Sequence, residues 1–191
     1  TEILNEGAGT TKFEVGILRP GFIRATVDGD LAFHMVSDGV NLSWFEPNSN
    51  SYGVLKSAPT IDGAVDIVKS HLSFGFPVGD ILANEAYARN IRSDTAVTYA
   101  GTAQVGGHAV DHVKLESPRA TVDLFVDQES HLLHKLVLTT KDSKKPYHYE
   151  VAFASWDLNA GLTPPDFVFH KPAGAERIDP PADAAAKKRV E

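Results

Sequence analysis

Polar and apolar residues alternate along most of the chain. Phe13, Val15 and Ile17 are interleaved with Lys12, Glu14 and Gly16, the period-two pattern of a strand with one buried face. Arg19-Pro20-Gly21 predicts a turn, Phe22 to Val27 a second strand, and Asp28-Gly29 a tight hairpin leading into Leu31, Phe33 and Met35. Ser37-Asp38-Gly39 repeats the device before Val40, Leu42 and Trp44, and a polar loop from Glu46 to Asn50 precedes Tyr52 and Val54. This half reads as a five-stranded meander. Further along, Val97, Tyr99, Ala103 and Val105 alternate up to Gly106-Gly107, and His108 to Leu115 answers across that turn. Thr121 to Val126, Leu132 to Thr140 and Tyr147 to Trp156 follow, with Phe167-Val168-Phe169 expected as a last short strand.

One segment breaks the rhythm. Ile61, Ala64, Val65, Val68 and Leu72 recur at three- and four-residue spacing, the apolar stripe of a helix. Thr60 is placed to cap it, Asp62 and Asp66 favour its N-terminus, and Lys69 and His71 its C-terminus. Phe74, Phe76, Val78, Ile81 and Leu82 then carry the apolar run through Gly75, Pro77 and Gly79, which predicts a bent insert rather than a longer helix. Asn84 to Ser93 adds at most a helical turn or two. A greasy insert in a sheet protein has two uses. It can close over a concave apolar surface as a lid, or complete an ordinary core, and the same residue types serve both.

The expected fold class is α+β: one large, curved antiparallel sheet of about ten strands, curling into a half-barrel, with a helical apolar lid over its concave face. Residues 1–179 are expected to form a single domain. Residues 180–191, with Pro180-Pro181 and the basic run Lys187, Lys188 and Arg189, read as a disordered, solvated tail.

Composition narrows the function. The 191 residues are 42% hydrophobic, enough for a packed core, and a net charge of -7 with a pI near 5.6 argues against nucleic acid as a partner. The absence of cysteine removes thiol catalysis, disulfides and thiolate metal ligands. No apolar run approaches the roughly 20 residues of a transmembrane helix. Because the chain starts at Thr1, the expectation is that a leader has been removed or that the start is missing.

Eight histidines raise the question of a metal. His108 and His112 would share a helix face, but the Gly-Gly turn and the following alternation place them on a strand, about 13 Å apart. His131 and His134 fall on opposite strand faces, so no metal site is expected. Asp111 lies on the same face as Val113 and Leu115 and is a candidate buried carboxylate, whereas Asp123 is expected to face water. No nucleophile elbow, P-loop or dinucleotide fingerprint occurs. Neither an enzyme nor a cofactor is therefore expected.

The order of many short motifs carries a resemblance. Arg19-Pro20-x-x-Ile23-Arg24, Asp38-Gly39-x-x-Leu42, Pro47-x-x-Asn50-x-Tyr52 and Thr60-Ile61-Asp62-x-Ala64 come first. Pro77-Val78-x-Asp80-Ile81-Leu82, Tyr99-x-Gly101, Val105-Gly106-Gly107, His112, Lys135-Leu136-Val137, Trp156-x-Leu158, Phe167-x-Phe169 and Pro172-x-Gly174-Ala175 with Ile178 follow. Over Arg19 to Ile178 the chain resembles a bacterial family of predicted periplasmic proteins of unknown function, grouped with the lipoprotein-carrier fold of the outer-membrane lipoprotein localisation factors. Two departures are expected: neither the signal peptide nor the N-terminal helix usual in the family is read before the first strands, and Asp111 stands where Cys often does. The resemblance implies a periplasmic half-barrel with an apolar cavity that, in the carriers, receives lipoprotein acyl chains.

The expected function is that of a non-catalytic periplasmic carrier for a hydrophobic small molecule, lipid or lipoprotein acyl chain. Ile61, Val65, Val68, Leu72, Phe74, Phe76, Ile81 and Leu82 would form the lid, and Leu42, Trp44, Val54 and Tyr99 part of the floor. The competing expectation is an envelope sensor or interaction module that binds a protein partner, since the carrier fold is also similar to the N-terminal part of an envelope-stress regulator.

Overall fold

The computed structural model describes residues 2–5, 9–29, 32–71, 77–87, 91–141 and 148–180. Twelve strands are present among them: β1 (Glu2–Asn5), β2 (Gly9–Leu18), β3 (Phe22–Val27), β4 (Phe33–Asp38), β5 (Asn41–Glu46), β6 (Ser51–Lys56), β7 (Ala96–Val105), β8 (His108–Glu116), β9 (Ala120–Asp127), β10 (Leu133–Thr140), β11 (His148–Ala152) and β12 (Glu176–Arg177). Helix α1 spans Ile61–His71 and α2 spans Pro77–Leu82. The molecule is mostly β with few helices, and its strands fall into two compact units. The first comprises Thr1–Phe13 and Ile91–Leu158, the second Glu14–Asn90 and Asn159–Glu191. Strand β2 begins in the first and ends in the second.

The first unit orders its six strands β1-β11-β10-β9-β8-β7, all antiparallel, with the start of β2 paired on the outer side of β1. Strands β7 to β10 are joined by tight turns, the first at Gly106-Gly107 as expected. Both glycines have positive φ (57° and 86°), the left-handed region that a β-branched residue would occupy only with strain. Strand β1 falls in the polar start of the chain, where no strand is expected.

Four strands of the expected five-stranded meander, β3-β4-β5-β6, lie wholly in the second unit and are extended by β12, parallel to β6; the fifth, β2, follows β3 in the strand order. Register sorts its side chains into two faces. On one, Ile23, Ala25 and Met35 join Leu42 and Trp44, all at most 3% exposed. Helix α1 packs on this side against β3 and presents Ile61, Ala64, Val65 and Val68, each fully buried. The helix follows the sequence closely: Thr60 Oγ accepts the Gly63 N–H at 3.2 Å, Asp62 is in the first turn, and Lys69 and His71 are in the last. Of the bent insert, the described residues Pro77–Leu82 form α2, which starts on one expected break, Pro77, and runs through another, Gly79, and Lys69 reaches across to Asp80.

The Arg19-Pro20-Gly21 turn holds both helices. Pro20 O accepts the Ile61 N–H at 2.7 Å and the Asn84 side-chain amide at 2.8 Å. Arg19 donates to Leu82 O, and Asp62 takes the Asn84 and Glu85 N–H groups. A Cβ on Gly21 would stand 2.3 Å from Pro59 O, so any side chain here forces the α1 entry away from the sheet. Gly21→Ala is accordingly expected to destabilise by about 1–3 kcal/mol, read as a lower midpoint in urea unfolding.

The C-terminal segment crosses the meander's opposite face. Phe167 is fully buried with its ring 5.5 Å from Phe22, Phe169 stacks on Tyr52 at 5.6 Å, and the Lys171 ammonium lies 5.5 Å over the same tyrosine. The expected last strand at Phe167-Val168-Phe169 is not formed. A 3-10 helix over Pro164–Phe167, which Pro164 and Pro165 suit better than a strand, seats Phe167, and the last strand is β12. The tail expected from 180 onward lies, beyond Pro180, outside the described residues.

Candidate functional site

In the first unit the alternating strands align their apolar residues into rows across the sheet. Tyr99 faces Val113, Val113 faces Leu124, Leu124 faces Leu136, and Leu136 faces Val151. A second row runs Val97, Leu115, Val122, Leu138, Tyr149. Cover over this face falls off toward β7, with Leu115 on β8 as the exception. Val151, Leu136, Tyr149 and Leu115 are buried, Val113, Val122, Leu124 and Leu138 are half-buried, and Val97 and Tyr99 are 54% and 60% exposed. Such an apolar expanse, rimmed by polar groups, is the surface type that recognises hydrophobic ligands.

The reverse face is polar and internally paired. His112 Nε2 lies 2.7 Å from Asp123 Oδ1 with its ring stacked on Phe125, and Lys135 pairs with Glu150 at 2.7 Å. Asp123 therefore sits on the hydrophilic side, as expected, although its partner leaves it only a quarter exposed.

Asp111 belongs to the apolar side, as the alternation predicts, with Val126 and Thr102 as its cross-strand neighbours. Its Oδ1 accepts hydrogen bonds from Tyr99 Oη at 3.0 Å and Gln128 Nε2 at 2.8 Å. The hydrogen bond to this carboxylate favours the neutral phenol and raises the Tyr99 pKa above its ordinary value. This is a polar cluster at the edge of an apolar field.

The neighbouring end of the sheet carries His108, Asp127 and His134. His108 Nδ1 lies 3.0 Å from Asp127 Oδ2, and the His108 and His134 rings pack tilted by 33° with centroids 4.5 Å apart. Among the described residues no group of three His, Asp or Glu is placed to hold a metal ion. Asp127 instead organises the β9–β10 turn. It accepts the Ser130 N–H and hydroxyl and the Glu129 N–H, and these bonds, the Ser130 N–H first, hold its carboxyl far below the usual range. A carboxyl with a depressed native pKa contributes stability above its unfolded pKa, near 4, and loses it as pH falls below that value. Asp127→Ala is thus expected to lower the melting temperature at neutral pH. The gap to the unsubstituted protein should close on acidification below about pH 4, and a gap that widens there would contradict this assignment.

The residues expected to form the ligand site are distributed differently. Ile61, Val65 and Val68 are fully buried on α1, Leu82 is 9% exposed, and Ile81 is half-buried. Leu42 and Trp44 share the α1-covered face, but Val54 pairs with Ser43 and so points to the other side of the sheet. Leu72, Phe74 and Phe76 lie outside the described residues. Tyr99 is in the first unit, on the half-open apolar face. Val113, Val122, Leu124 and Leu138 were not expected there. Period-two spacing gives each strand's apolar side, but only cross-strand register joins those sides into one surface.

The family model for predicted periplasmic proteins, DUF2092, matches residues 7–179. No curated protein matches the chain. Among solved structures, a putative outer membrane lipoprotein-sorting protein domain from Vibrio parahaemolyticus is 10% identical and aligns over 87% of this chain and 86% of its own, with a TM-score of 0.37. MucB, in a crystal structure of its complex with MucA(peri), is 13% identical over 78% of this chain, with a TM-score of 0.38. The chain spans 45% of that MucB chain. No helix among the described residues is long and apolar enough to cross a membrane.

Proposed function

We propose, from the premise that this chain belongs to the DUF2092 family of predicted periplasmic proteins, that it is a non-catalytic periplasmic binding protein for an acylated or otherwise hydrophobic ligand. The observation that carries this reading is the graded apolar face of the first unit. An acyl chain laid along Val113, Leu124 and Val122 toward Leu138 would remove from water the side chains that the fold leaves half-covered. Tyr99 and Val97 mark its open edge. Affinity would come from burial, at about 0.8 kcal/mol per methylene, with no reacting group required.

Native mass spectrometry of protein purified from its own envelope, followed by organic extraction, tests the reading directly. A stoichiometric lipid or acylated molecule is the expected result. In solution, affinity for a homologous series of alkyl amides should rise by up to about fourfold per added methylene, the equilibrium equivalent of that burial energy. Leu124→Ser should weaken binding about tenfold, and the circular dichroism melt, lowered by the loss of a half-buried leucine, shows that the variant is still folded at the temperature of the titration. Affinity that ignores chain length would overturn the proposal.

One observation favours a protein-interaction module as a second reading. Strand β7 is the terminal strand of its unit, and its ten residues contain no charge and no proline, the usual guards of a sheet edge. An extended peptide that binds only while β7 is intact, and that Thr102→Pro abolishes without loss of acyl binding, would establish that reading.

A further inference from the structure

The apolar face of the first unit has a chemically distinct end. At the β7–β8 edge, Asp111 brings a carboxylate to a side otherwise occupied by Val113, Leu115 and Val126. Its two donors, Tyr99 and Gln128, converge on one oxygen, Oδ1, and Oδ2 has no partner among the described residues. Tyr99 and Gln128 come from different elements, the strand β7 and the turn after β9, so the carboxylate is held from two sides. Gln128 is itself anchored, because its N–H donates to Ala109 O at 3.0 Å. This gives a fixed anionic acceptor beside an apolar track.

Resting on the acyl-binding reading, we infer that Asp111 selects the polar end of the ligand: the site takes an amphiphile whose head donates hydrogen bonds, such as an ammonium or amide, and turns away a free carboxylate. The reason is charge complementarity. A donor head at the unoccupied oxygen gains a hydrogen bond to a charged acceptor, in the range of about tenfold in affinity. An anionic head at the same place meets a like charge across a surface of low polarity, where repulsion is screened less than in bulk water. The acyl chain then runs from Asp111 past Val113 toward Leu124 and Val122, so one end of the track fixes the ligand's direction.

The test uses three ligands with the same lauryl chain, kept below micelle concentration: lauryl amine, lauramide and laurate, titrated into the full chain at neutral pH. The expected order is amine and amide well ahead of laurate, with the amine preferred over laurate by about tenfold or more. Asp111→Asn should cut that preference at least several-fold and weaken lauramide only by the few-fold difference between a charged and a neutral partner. Glu176→Gln, which removes one negative charge from β12 in the second unit, should leave the preference intact and so controls for the net charge of -7. Equal binding of amine and laurate, or an unchanged preference in Asp111→Asn, would overturn the selector while the acyl-binding reading stands. Failure of all three ligands to bind, the uncharged lauramide included, would overturn that reading and the selector with it.

Discussion

Trp44→Ala is expected to lower the free energy of unfolding by about 3–5 kcal/mol, the range for deleting a large buried aromatic. Trp44 is 1% exposed on β5, and its cross-strand partner on β6 is Gly53. A Cβ on Gly53 would stand 2.2 Å from Trp44 Cζ2 and 2.3 Å from Cη2, so the indole occupies the space that any other residue would fill. The pair makes a sharper test than either residue alone. Gly53→Ala by itself should cost roughly 1–3 kcal/mol, because the ring must leave its seat. In the Trp44→Ala background the same change meets open space and should cost little, or even offset part of the cavity. Urea unfolding of the four proteins gives the coupling energy of the cycle. Additive effects would mean that the indole does not rest on Gly53, and a loss near zero for Trp44→Ala would remove it from the core altogether.

Strand content was legible because period-two alternation is strong wherever one face of a sheet is buried and the other is wet. Phe22 to Val27, with its strictly alternating burial, and His108 to Leu115 fall where the pattern places them. The same holds for α1, whose stripe Ile61, Ala64, Val65 and Val68 is buried in full. Strand β1 was not legible, since its pairing with β2 and β11 is set by neighbours distant in sequence rather than by a local pattern. Apolar periodicity also gives no partner for a face. It groups Leu42 with Trp44, but it cannot tell that α1 lies over that face or that Val54 turns away from it. For the same reason the candidate site was only partly visible. Tyr99 stood out as a strand aromatic, whereas Val113, Val122, Leu124 and Leu138 look like any core valine or leucine until register aligns them.

Phe167 shows how a local pattern can mislead, and its removal is the second large effect expected. In Phe167-Val168-Phe169 the alternation is that of a strand, and Phe169 does turn toward Tyr52. Upstream, though, Thr163 and Asp166 form a capping box: Asp166 Oδ2 accepts the Thr163 N–H and hydroxyl, both at 2.7 Å. That box closes a single 3-10 turn and drops Phe167, at its end, against Phe22. The side chain is fully buried although the surrounding segment is largely exposed. Phe167 is therefore the segment's largest buried anchor, with Ala175 buried and Phe169 stacked on Tyr52 as smaller ones. Phe167→Ala should cost about 3–5 kcal/mol, whereas Val168→Ala, at a position 53% exposed, should stay within about 0.5 kcal/mol of the unsubstituted protein. Amide exchange separates two outcomes that a single unfolding midpoint would merge. If the C-terminal segment folds with the meander, Phe167→Ala should speed exchange in β3 and β4 as well as around β12. Faster exchange confined to residues after Asn159, with the global midpoint unmoved, would instead make this segment a separable strap over Phe22 and Tyr52.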